Sequence, residues 1–400
     1  MAEPTSGADL ARRGGVATAT QQRSVPASPP PGPATARARL YGIDGLRFLA
    51  AMGVVLYHYV ARESIAWGGA HPVEVFPHFG QRIIYTALAP ELFFVISGFV
   101  ILMTAWGRDV PHVVASRVAR LYPSYWVAVI ATSILLLWIW PEGKDITLGQ
   151  ALVNLTMLQS LFEVGHVDGV YWTLWTELRF YLLIVAFVAI GMTRRRILAF
   201  CALWPLAAWA AQTAGVQYAA MFLISGYAPL FAGGMLLYVI YREGHRWAPW
   251  LLLAGNTVLA VHHIVPAQLA SIGRNTAYQP SATALTVAVV GCFALVAALT
   301  LTRLRHLRWA WLAKLGMLTY PIYLTHEFWG WWLIHILHPH LGRWPTLVIT
   351  CLVAVGVAWV IYHGFEKRVS PRMRKAIDRG LRRAGADRRN ARRDVDVALA

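Results

Sequence analysis

Asp44-Gly45-Leu46-Arg47 is followed, after ten intervening residues, by His58. Eleven helical steps of about 100° come to some 20° beyond three full turns, so the two side chains leave one face about 16 Å apart. An arginine and an imidazole lining one groove at two depths suit a support for a donor group and a base. The plain alternative is a helix-end anchor and an interfacial histidine. Trp172-Thr173-Leu174-Trp175-Thr176-Glu177 continues to Arg179 and Tyr181, with Tyr181 one turn from Glu177 on the same face. A carboxylate inside an apolar stretch must be paired, protonated or wet. Glu177 and His58 both fall in the outer half of their stretches, so they can meet. A neutral imidazole takes a hydroxyl proton, and a carboxylate orients its ring. A structural pair of Glu177 with Arg179 or a neighbouring helix is the competing account.

Arg117 and Arg120 lie one helical turn apart beside an apolar stripe of Val114, Val118 and Leu121. Two guanidiniums so placed can grip phosphates by paired hydrogen bonds or touch lipid headgroups. Ser97-Gly98, in the stretch that also holds Glu91, is a small-residue step permitting close helix approach. Farther on, Leu315-Gly316 precedes Thr319-Tyr320-Pro321-Ile322-Tyr323-Leu324-Thr325-His326, where the proline invites a kink. His326 and Glu327 then border the same wet interior, while Tyr320 and Tyr323 individually suit packing.

These residues need an apolar frame. Of the 400 residues 57% are hydrophobic and 14% charged, against roughly 25% charged in soluble globular proteins. That excludes a water-soluble globule. The net charge of +17 sits mainly at the ends and between apolar runs, a pattern for a negatively charged membrane surface and not for nucleic acid. Cys201, Cys292 and Cys351 are scattered in apolar segments, so neither a disulfide framework nor a metal site is expected.

Residues 1–40 read as a disordered basic Pro/Ala-rich tail without a signal-peptide core, and 367–400 as a second basic tail, partly helical on the membrane surface. Twelve Lys or Arg fall between Lys367 and Arg393. Between the tails, ten stretches are long enough for a hydrocarbon core of roughly 30 Å: 46–62, 83–105, 122–140, 171–191, 196–215, 219–241, 247–263, 281–302, 311–336 and 345–363. The expected fold is an all-α polytopic membrane bundle. The inside-positive rule favours both termini in the cytoplasm, since that choice puts 28 basic residues inside and five in the opposite loops. The segment 141–170 is then external, and its apolar part 147–162 either lies along the interface or re-enters.

The order and spacing of these motifs, from about Tyr41 to Glu366, resemble the acyltransferase 3 family of integral membrane O-acyltransferases. The resemblance rests on Asp44 to Arg47 with His58, Phe93 to Phe99 around Ser97-Gly98, Arg117 and Arg120 before Tyr122-Pro123, Trp172 to Glu177, and Gly316, Tyr320, Tyr323 and His326. It implies an enzyme of the cytoplasmic membrane moving an acyl group, commonly acetyl, from acyl-CoA to a hydroxyl of a carbohydrate or a glycosylated metabolite such as a macrolide. Acyl-CoA is then a co-substrate, with no permanently bound cofactor. On that reading His58 is the base or a covalent relay and Glu177 its orienting partner. Arg117 and Arg120 take the CoA phosphates, Arg47 supports the donor, and Tyr181, Tyr320, Tyr323 and His326 border the substrate. Asp44, Ser97, Gly98 and Trp172 belong to structural motifs. The rival is a multi-span transporter with a buried His/Glu/Arg proton relay, against which the chain shows no matching pair of broken-helix halves.

Overall fold

The computed structural model describes residues 39–399, with side chains as far as 387. The expected N-terminal tail thus lies outside the described residues, except at its last two positions. Everything described is helix or loop, with no strand. The long helices are α1 (Tyr41–Val60), α2 (Ala89–Ala105), α3 (Val110–Ile134), α4 (Trp172–Ala189), α5 (Arg194–Thr213), α6 (Ala228–Glu243), α7 (Trp247–Asn275), α8 (Ala282–Leu301), α9 (Ala310–Leu341), α10 (Arg343–Ile361) and α11 (Lys367–Leu399).

The first ten run alternately between two ends of a bundle, as their connections show. At the Arg47 end, Arg194 pairs with Glu243 at 2.7 Å, Arg242 lies 4.0 Å over the Trp106 ring, and Arg382 pairs with Asp109 at 2.7 Å. At the His58 end, the Glu63 N–H donates to the Asn275 carbonyl (2.9 Å), the Gln81 amide to Gln279 (2.8 Å) and Arg343 to Val75 (2.6 Å). Each of the ten expected spans falls on one of these helices.

Seven of them are long and apolar enough to cross a membrane: α1, α2, α3, α4, α7, α8 and α10, several with their helical extensions. The other three fall short for visible reasons. Helix α5 opens on three arginines, and α6 has 16 residues. Helix α9 carries Lys314, Glu327 and four histidines.

Close approach of backbones fixes the centre. A Cβ on Gly98 would strike the Phe231 carbonyl and one on Gly234 the Val95 carbonyl, so α2 and α6 pack main chain to main chain. A Cβ on Gly316 would come 2.6 Å from Asp44 Cβ, and one on Gly45 would come 2.8 Å from Leu312 Cδ2, which seats α1 against α9.

Two further features position the site. The segment between α3 and α4 dips back alongside α3: Tyr122 donates to the Thr156 carbonyl (3.0 Å), Tyr125 to Asn154 (2.6 Å) and Trp126 to Leu155 (3.0 Å). Those three residues sit at the middle of α3, so residues 147–162 re-enter. Non-helical backbone at that height survives because protein groups bond it. Beyond α10, a π-helical turn at Tyr362–Glu366 runs directly into α11, which packs along α3 and does not stand apart as a tail. The Arg382 guanidinium beside Asp109 holds that exposed carboxyl below the usual carboxylate range. Its contribution to docking is complete at neutral pH and fades as pH falls below that range.

Gly98→Leu or Gly234→Leu is expected to lower the thermal unfolding midpoint of the detergent-purified protein clearly, an overpacking cost of about 1–3 kcal/mol or more. Gly255→Leu, where a Cβ meets nothing within 4 Å, is expected to leave it in place.

Candidate active site

A cavity of about 740 Å³ opens at the Arg47 end and penetrates to the middle of the bundle. Its inner wall carries Arg47, Ser97, Glu177, Tyr181, Tyr320 and Tyr323, and its mouth carries Arg117, Arg374 and Lys375. Helix α1 presents Arg47 to it, where the charges of Glu177 and Asp44 act on the guanidinium. The Glu177 carboxylate accepts hydrogen bonds from Ser97 Oγ (3.0 Å, from α2) and from the Tyr181 hydroxyl one turn along its own helix. Arg117 lies 5.7 Å over the Tyr181 ring, a cation–π contact at the same height. The cavity therefore mixes two carboxylates, Glu177 inside and Asp378 at the mouth, with several cations and phenols in a water-accessible chamber.

Arg120 also borders the cavity, stacked 5.2 Å over Tyr320, but its charge is committed. Its Nη1 lies 2.6 Å from Glu366 Oε1, and Ser124 donates to the other oxygen at 2.5 Å. The expected pair of phosphate-gripping arginines is thus divided: Arg117 has no carboxylate partner among the described residues, whereas Arg120 is neutralised by a carboxylate at the end of α10. Tyr320 in turn donates to the Leu121 carbonyl at 2.9 Å, fixing α9 against α3.

His58 lies outside the cavity lining, in a second cluster toward the other end. Its Nδ1 is 2.9 Å from the Val54 carbonyl and 3.2 Å from His326 Nε2, while His326 Nδ1 is 2.9 Å from the Tyr323 carbonyl. Carbonyls only accept, so both rings carry their proton on Nδ1, and His326 Nε2 accepts from His58. The His58 Nε2 lone pair is left free, 3.8 Å from Glu327 Oε1, with Arg62 Nε 3.7 Å from the same oxygen. Trp331 donates its indole N–H to the His58 carbonyl (2.9 Å). On the far side of Glu327 the re-entrant segment delivers Asp168 and Gly169. A Cβ on Gly169 would come 2.8 Å from Glu327 Oε2, so the glycine lets the carboxylate lie close against the main chain. Asp168 lies beside Glu327 there, so two buried acids face each other at the start of α4.

The expected partnership of His58 with Glu177 is not formed; His58 has Glu327 and His326 in its place. The reason is the re-entrant segment, which carries the start of α4 inward. Glu177 therefore sits level with Ser97 and Arg47, well away from the outer end. Arg47 and His58 do share a face of α1, yet Arg47 reaches the cavity and His58 does not. Tyr323 stands between the two compartments. It lines the cavity, its ring centroid is 5.9 Å from that of His326, and its hydroxyl accepts from Thr173 (2.9 Å). The competing pair of Glu177 with Arg179 is absent too, since Arg179 bonds Thr176 and the Met221 carbonyl. Of the structural positions, Gly98, Ser97 and Asp44 act as described above. Trp172 packs its ring against Phe94 and Tyr227 (6.1 and 5.4 Å).

Glu327→Ala strips Arg62 of the carboxylate that faces it, and Glu366→Ala leaves Arg120 without its counter-ion. Each is expected to destabilise the purified protein by roughly 1–3 kcal/mol, less than a fully buried pair because both arginines are about one-third exposed. The Glu366→Ala, Arg120→Ala double variant is expected to recover part of the loss, as a double-mutant thermal unfolding cycle will read.

The site can be set beside known proteins. The family model of an acyltransferase domain, Acyl_transf_3, matches residues 40–363, from the start of α1 to the turn after α10. No curated protein and no solved structure matches. The matched stretch contains the greater part of the cavity and the whole His58 cluster. On that match, and on its apolar helices, the chain belongs to this acyltransferase family and is a multi-pass membrane acyltransferase.

Proposed function

We propose that this acyltransferase moves an acyl group, acetyl in the first instance, from acyl-CoA to a hydroxyl of a carbohydrate or a glycosylated metabolite such as a macrolide. The observation that carries the reading is the pairing of a cation-mouthed cavity with a histidine whose free Nε2 lies just beyond its inner wall. The Arg47 end faces the cytosol, in keeping with the arginines and lysines gathered there, and the membrane is the cytoplasmic one. The nucleotide half of acyl-CoA stays at the mouth, near Arg117, because its phosphates cannot enter hydrocarbon cheaply. The pantetheine arm runs inward past Arg47 and Tyr181.

The chemistry then falls to the second cluster. His58 Nε2 takes the proton of the acceptor hydroxyl as its oxygen bonds to the thioester carbon; the C–S bond breaks, and the imidazolium returns the proton to the departing thiolate. Glu327 faces the imidazolium and balances its charge, as a carboxylate does in a triad, while His326 and the Val54 carbonyl fix the tautomer. Tyr323 is the ring that must yield for thioester and base to meet. A covalent relay through His58 Nε2 uses the same lone pair and the same geometry. A transporter reading gains no observation, since the chain belongs to an acyltransferase family.

The test is purified protein in lipid discs with labelled acetyl-CoA and a panel of sugars and glycosylated macrolides, scored for labelled ester. His58→Ala is expected to abolish transfer, and an active, correctly inserted variant removes His58 as base or relay. His326→Ala, which loosens the tautomer lock, is expected to cost roughly 10²-fold in kcat with donor KM little changed. Glu177→Gln is expected to disturb donor binding more than the proton step, because Glu177 faces the cavity and not His58.

A further inference from the structure

The family match ends at residue 363, but the cavity wall does not. The first three turns of α11 close one side of the mouth with Ser370, Pro371, Arg374, Lys375 and Asp378. We infer that α11 is part of the donor site, with Arg374 and Lys375 holding the phosphates of the nucleotide half of acyl-CoA. The inference rests on the reading above that the donor is acyl-CoA, and it assigns a binding role to a segment beyond the matched domain.

Three observations support it. First, the cations that line the cavity are not equivalent. Arg120 is neutralised by Glu366, and Arg47 feels the opposite charges of Glu177 and Asp44, whereas Arg117, Arg374 and Lys375 have no carboxylate partner among the described residues. These three form the uncompensated positive rim. Second, the one carboxylate of α11 at this mouth, Asp378, is turned to Arg382, which lies 3.0 Å from it and also holds Asp109 at 2.7 Å. That clamp docks α11 on the start of α3 and keeps Asp378 from cancelling its neighbours. Third, Arg374 Nη2 lies 3.2 Å from His112 Nε2, so its guanidinium is drawn across the opening toward α3. A guanidinium and an ammonium on successive residues, facing a third cation, suit a diphosphate with an additional phosphate monoester, since the fork binds phosphate oxygens in pairs and the ammonium binds as a point charge.

The test is equilibrium binding to full-length protein in lipid discs, with CoA and pantetheine as probes. Arg374→Glu combined with Lys375→Glu is compared with Arg368→Glu combined with Arg372→Glu, an equal change of charge on residues of α11 outside the cavity lining. The inference expects at least tenfold weaker CoA binding for the first pair, less than a twofold change for the second, and pantetheine binding alike in all three proteins. Equal weakening by both pairs, or none by the first, overturns the role of α11 while leaving the CoA donor standing. Wild-type protein that does not bind CoA overturns the donor reading and this inference together. Should the charge reversals lower the unfolding midpoint, Arg374→Gln with Lys375→Gln gives the same comparison, again with at least tenfold loss expected.

Discussion

An ionised group surrounded by hydrocarbon must find a counter-charge or water, and this protein is arranged around that constraint. Glu366 meets Arg120 and Ser124, Glu327 faces Arg62 and His58, and Glu177 is bonded by Ser97 and Tyr181. Each of these groupings joins helices distant in sequence. The polar interior is thus a set of pins that fixes where α1, α3, α9 and α10 sit. Close packing at Gly98, Gly234 and Gly316 fixes the register of the apolar faces beside them.

The pins also divide the interior into two compartments with different chemistry. One is a hydrated chamber with cations at its rim; the other is a closely packed cluster in which two imidazoles are held in one tautomer by main-chain carbonyls. The proposed transfer from a highly charged donor to a hydroxyl would benefit from that division, with His58, the proposed proton acceptor, kept out of the open cavity until the reacting groups arrive. Tyr323, bonded through its hydroxyl and flanked by His326, is the thin partition between them.

Much of this was legible in the sequence. The ten helices followed from apolar length, and the family from the order of Arg47, His58, Ser97-Gly98, Arg117, Arg120 and Glu177. The partner of His58 was not legible, because spacing along one helix says nothing of which neighbour faces it, and because the start of α4 is displaced by the re-entrant segment. Asp168 reads as an external loop acid until that segment is seen to fold inward. Glu366 stood at the boundary between a span and a basic run, where a single acid attracts no notice. Arg374 and Lys375 were hidden in a charge run whose simplest reading is a solvated surface. The dipeptide His326-Glu327 was the one available signal for the true cluster, since adjacent ionisable residues in an apolar stretch are costly unless they serve a common purpose.

Helices α10 and α11 meet through a single π-helical turn, with Glu366 at the joint. At about 1.5 Å per residue, the 33 residues of α11 make a shaft of about 50 Å, of which only the first few turns touch the cavity. Mechanically the inner stretch is a beam held at two points, by Glu366 with Arg120 and by Arg382 with Asp109, and the turns that wall the chamber lie between them.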